Sequence, residues 1–119
     1  MRNLNYEVEM DKICREIWPF LKSKKEFPAI LSKQGGSSGK YNPGSHTVMF
    51  RWNVWNKMPF AGQRLLAIHE LWHASGNNHN GVKLFCHGLD ILSILIYKKI
   101  WGEDCPYYRS MVYDIERTL

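Results

Sequence analysis

A chain of 119 residues, 45% hydrophobic and 23% charged, is long enough for one core and has the balance of a folded globule, which excludes a wholly disordered chain and makes one compact unit the expectation. The net charge of +5 admits acidic surfaces or nucleic acid as partners. Lys and Arg are spread along the chain, however, so the charge reads first as a diffuse solvated surface.

Residues 1–119 therefore read as a single domain. The opening "MRNLNYEVEM" lacks the apolar core of a signal peptide, and the greasiest stretch, Ile91 to Tyr97, is too short to span a membrane. Cys14, Cys86 and Cys105 are odd in number and scattered, which argues against a disulfide framework and against a CxxC knuckle. A reducing compartment, and so a cytoplasmic location, is the expectation.

Tyr6, Met10, Ile13, Cys14, Ile17 and Leu21 recur at helical spacing and predict an amphipathic helix from about Asn5 to Trp18, ended or kinked by Pro19. "FPAIL" is a strand candidate. "KQGGSSGKYNPGS" reads as a Gly/Ser-rich loop, either a flap over a cleft or a surface connection. Val48, Phe50, Trp52 and Val54 alternate with Thr47, Met49, Arg51 and Asn53, the period of a half-buried strand. Asn56 and Pro59 open a helix whose apolar residues Leu65, Leu66, Ile68, Leu71 and Trp72 carry it to about Ser75. Asn80 caps a further helix, from about Gly81 to Trp101, apolar around most of its circumference and so expected in the core. "GEDCP" breaks it, and the remainder is a short helix or tail.

The residues that carry chemistry are "HELWHASGNNH", 69 to 79. Residues four apart on a helix stack on one face, so His69 and His73 could reach the same ion. Glu70 stands one position round the helix, where a carboxylate can take a proton from a metal-bound water as general base. Gly76 can leave the helix through the left-handed conformation, and His79 could then return as third ligand. The five fixed positions of HExxHxxGxxH arise by chance in roughly a few of 10⁵ chains of this composition, so the pattern is no by-product of histidine content.

Position for position, "HELWHASGNNH" resembles the zinc-binding consensus of the metzincin metallopeptidases. The resemblance implies Zn²⁺ on His69, His73 and His79, Glu70 polarising the water that attacks a peptide carbonyl, and substrate bound by β-strand addition to the preceding strand, Thr47 to Val54. "SMVY", Ser110 to Tyr113, is similar to the methionine turn of that family, with Met111 beneath the metal; Tyr108, Met111, Val112 and Ile115 suit a packed helix face equally well.

The layout also resembles the compact SprT-like zinc proteases, which have a further helix just after the HExxH helix. In one register of that resemblance the third ligand is His79; in the other it is His87, followed by Gly88. The glycine turn favours His79.

Together these readings give an α+β, minimal zincin-like fold: an N-terminal helix on a small sheet, the HExxH helix, a long buried helix and a C-terminal helix or tail. The expected function is a zinc metalloendopeptidase acting on protein or peptide substrates. The alternative is a basic nucleic-acid-associated domain with a structural or vestigial zinc site, or a SprT-like protease acting on DNA-bound proteins.

Overall fold

In the computed structural model, which describes residues 1–77 and 93–103, the chain opens with α1, Leu4–Ile17. Asn3 caps it by accepting the Tyr6 amide at 3.4 Å. The helical period puts Met10, Ile13, Cys14 and Ile17 on one buried face. Pro19 enters a single 3₁₀ turn, Trp18–Leu21, so the α-helix stops within a residue of the expected place.

Three strands follow: β1, Ala29–Lys33; β2, Gly39–Asn42; and β3, Thr47–Arg51. Their order is β1-β3-β2, with β1 parallel to β3 and β2 antiparallel to it. Two expectations need correction here. The Gly/Ser-rich segment is not all loop, because Gly39 to Asn42 pair with Phe50 to Thr47 in register. Pairing to a strongly apolar neighbour supplies what the intrinsic propensity of "GKYN" does not.

The strand expected to run to Val54 ends at Arg51, and Trp52–Trp55 form a one-turn helix, α2. Val54 and Trp55, adjacent in sequence, are both buried, which consecutive residues of a strand with one solvated face cannot achieve. Trp55 packs on Phe50 at 4.9 Å between ring centroids, and Trp52 stacks on Tyr6 at 6.2 Å.

α3, Phe60–Ala74, buries Leu65, Leu66, Ala67, Ile68, Leu71 and Ala74. It packs with α1 on one face of the sheet, where Ile30, Val48 and Phe50 project. The register places Lys33, Lys40, Met49 and Arg51 on the opposite face.

The chain is helical again over 93–101, α4. Ser93 and Tyr97 are buried there, but Leu95 is exposed, as are Lys98 and Lys99, so the described part of the expected core helix is amphipathic. Arg64 of α3 joins it to the core: its guanidinium lies 4.2 Å from the ring centroids of both Phe60 and Trp101 and pairs with Glu103 at 3.0 Å.

The outer edge of β1 is closed by Glu7. Its Oε2 accepts both the amide and the hydroxyl of Ser32 at 2.8 Å, and Arg2 donates to the same carboxylate at 2.6 and 2.9 Å. Such a clasp satisfies an edge amide that would otherwise template pairing with another chain. The Arg2 guanidinium, with the Ser32 bonds, holds the Glu7 carboxyl down at about 2 despite its burial.

These helices and this mixed sheet make a small α+β domain. Among the described residues no helix is long and apolar enough to cross a membrane.

Candidate metal centre

His69, Glu70 and His73 lie on the last turns of α3. The two imidazoles face each other one turn apart, with ring centroids at 5.1 Å and planes at 75°. Both are half-buried, so the pair is reachable from solvent while its positions are held by a packed helix. His73 is oriented further by a 3.0 Å hydrogen bond from Nδ1 to the Asn77 carbonyl. A proton on Nδ1 fixes the tautomer whose lone pair is on Nε2, the arrangement by which protein carbonyls orient metal-binding histidines.

The helix exit is built as its glycine requires. Ser75 is the C-cap, and Gly76 follows with φ +115°, a region that residues with a Cβ rarely adopt. Asn77 secures the turn, its side-chain amide donating to the Trp72 carbonyl at 3.2 Å and to Ser75 Oγ at 3.1 Å. Lys25 lies beside this exit: a Cβ added at Gly76 would meet its Cε at 3.9 Å.

Glu70 turns the other way, into the protein, and is 6% exposed. It rests on β2. A Cβ at Gly39 would come within 2.8 Å of both Cγ and Oε2 of Glu70, closer than real contacts allow. Gly39 is therefore the residue that lets the carboxylate reach its position, and inspection of the sequence alone did not single it out. Burial pushes the Glu70 carboxyl up to about 7, against the pull of the Lys33 ammonium.

His69 and His73 are thus one helical turn apart, as their spacing predicts, while the Glu70 carboxylate lies against Gly39 of β2. His79 and His87, the two candidates for third ligand, lie outside the described residues, as do Met111 and Tyr113. Among the described residues no group of three or more His, Cys, Asp or Glu is placed to hold a metal ion. His46, by contrast, is far from a ligand role. It sits at φ +49°, with Nδ1 2.7 Å from the Tyr41 hydroxyl and Nε2 2.6 Å from the Glu26 carbonyl, and so fastens the β2–β3 connection to the chain before β1.

The strand expected to add a substrate strand is corrected as well. β3 is paired on both sides, whereas β2 has a partner on one side only among the described residues. Compared with protein-family models, curated proteins and solved structures, the chain matches none.

Proposed function

We propose that this protein is a zinc-dependent metallopeptidase. His69 and His73 would hold the ion together with His79, or with His87 as the alternative third ligand. The observation that carries the reading is a helix end that presents two imidazoles one turn apart and a buried carboxylate between them in sequence, followed by a left-handed glycine exit.

The donors suit the metal. Two imidazoles at i and i+4 match the histidine pairs of zinc sites, and the Asn77 carbonyl orients one of them. When bound, zinc acts as a Lewis acid that lowers the pKa of water and polarises a carbonyl. Glu70 accepts a proton from the attacking water and delivers it to the departing amine. The walls around it exclude bulk water, and Gly39 keeps the space its carboxylate needs. β2, next to that carboxylate, offers the backbone edge along which an extended substrate would lie.

Elemental analysis of the purified chain should give about one zinc per molecule. His69→Ala and His73→Ala should each lose it, while Glu70→Gln should retain it and lose peptide cleavage. Of His79→Ala and His87→Ala, the one that loses zinc identifies the third ligand. Unchanged cleavage by Glu70→Gln would overturn the assignment.

A further inference from the structure

Three cations meet at the end of the sheet where Gly39 touches Glu70. Lys33 ends β1 and Arg51 ends β3, and the two are lateral partners in the parallel ladder. Lys40 follows Gly39 in β2 and faces Met49, two residues before Arg51. All three therefore share the sheet face opposite the one on which α1 and α3 pack.

Two of them, Lys33 and Arg51, are also held there. The Lys33 ammonium donates to Ser37 Oγ at 3.2 Å, and the Arg51 guanidinium donates to the Gly36 carbonyl at 3.3 Å and to Asn53 Oδ1 at 3.1 Å. Among the described residues no carboxylate forms a salt bridge with Lys33, Lys40 or Arg51. Burial holds the Lys33 ammonium below its usual range; Glu70 pulls it back up, while Lys40 and Arg51 push it further down. Like charges gathered this closely, one of them partly desolvated and none in a salt bridge with a described carboxylate, repel one another, a cost that an anionic ligand would relieve.

We infer that the candidate centre takes acidic polypeptide, an extended chain whose aspartate or glutamate side chains near the reacting bond are received by Lys33, Lys40 and Arg51. The inference rests on the metallopeptidase reading and names its substrate class. Lys40 and Arg51 are offset by two residues along neighbouring strands, about 6.7 Å, which is the repeat of side chains on one face of an extended peptide. Polypeptide is favoured over nucleic acid because, among the described residues, the strands place no aromatic side chain on this face for a base to stack on.

The test is fluorescence anisotropy of the full chain at low salt with three probes: a labelled peptide of alternating glutamates, the same peptide with glutamines, and a single-stranded oligonucleotide of equal charge. The glutamate peptide should bind at least about tenfold more tightly than the glutamine peptide. Lys40→Gln, at an exposed position, should weaken it about threefold or more, and the Lys33→Gln/Lys40→Gln double variant should remove the preference. Lys12→Gln, exposed on α1, should leave it unchanged.

Equal affinity for the two peptides would overturn the inference, and so would an oligonucleotide that binds more tightly than the acidic peptide. Cleavage by the zinc-loaded chain is scored separately. Cleavage without acidic preference sinks this inference alone, whereas acidic binding with no Glu70-dependent cleavage sinks the peptidase reading.

Discussion

Gly39→Ala should couple to Glu70 across the sheet–helix interface. The added Cβ would lie 2.8 Å from Glu70 Cγ and Oε2 and 3.0 Å from Cδ, whereas ordinary contacts between such atoms start near 3.4 Å. The carboxylate must therefore retreat by about 0.6 Å or more, in a setting where it is 6% exposed and close-packed neighbours resist. Overpacking of that kind costs about 1–3 kcal/mol. Removing the carboxylate removes the conflict: in a Glu70→Ala background the same glycine substitution should be neutral or stabilising by about 0.5 kcal/mol, since alanine restricts the unfolded chain more than glycine does. Urea unfolding of the four proteins in the cycle measures the coupling, expected at about 1.5 kcal/mol or more. Additive effects of the two substitutions would refute the contact. If the zinc-loaded chain cleaves peptides, Gly39→Ala should also lower kcat by about 10²-fold with zinc retained, because the displaced group is the one that moves the proton.

Other expectations concern parts that hold the site in place. Glu7 has a folded pKa of about 2, below its ordinary 4.5, so its stabilisation is complete above about pH 4.5 and is lost as the pH falls toward 2. Unfolding free energy measured across that range should drop by about 2 kcal/mol more in the natural chain than in Glu7→Gln, a figure reduced from the full shift because Arg2 is half-exposed. Gly76→Ala forces a Cβ into φ +115° and should cost about 1–2 kcal/mol in thermal unfolding. Because it disturbs the turn that brings the Asn77 carbonyl to His73, it should also weaken zinc binding in a chelator competition. His46→Ala should cost about 1–2 kcal/mol through loss of its bonds to Tyr41 and Glu26, and hydrogen exchange should speed up first in β2.

What could be read without a structure were the features with a local period. α1 appears within a residue of both expected ends and α3 within a residue of its expected C-terminus, because apolar residues at 3.6 spacing report one buried face whatever that face packs against; Asn56, expected to cap α3, instead ends α2. The juxtaposition of His69 and His73 and the exit at Gly76 likewise follow from helix geometry and one glycine. Alternation proved weaker, because Trp52 and Val54 continue the strand pattern in the sequence yet lie on a helical turn that buries Val54 and Trp55. β2 was hidden for a different reason. Its composition is that of a loop, and only hydrogen bonds to β3 make it a strand. That pairing brings Gly39 under Glu70, places Lys40 near Arg51, and makes β2 rather than β3 an edge strand among the described residues. Glu7 closing β1 through Ser32, 25 residues away, has the same character. The chemistry-bearing side chains were set by neighbours along one helix, while the surroundings that bury, charge and border them were decided by contacts between segments distant in sequence, which no local pattern encodes.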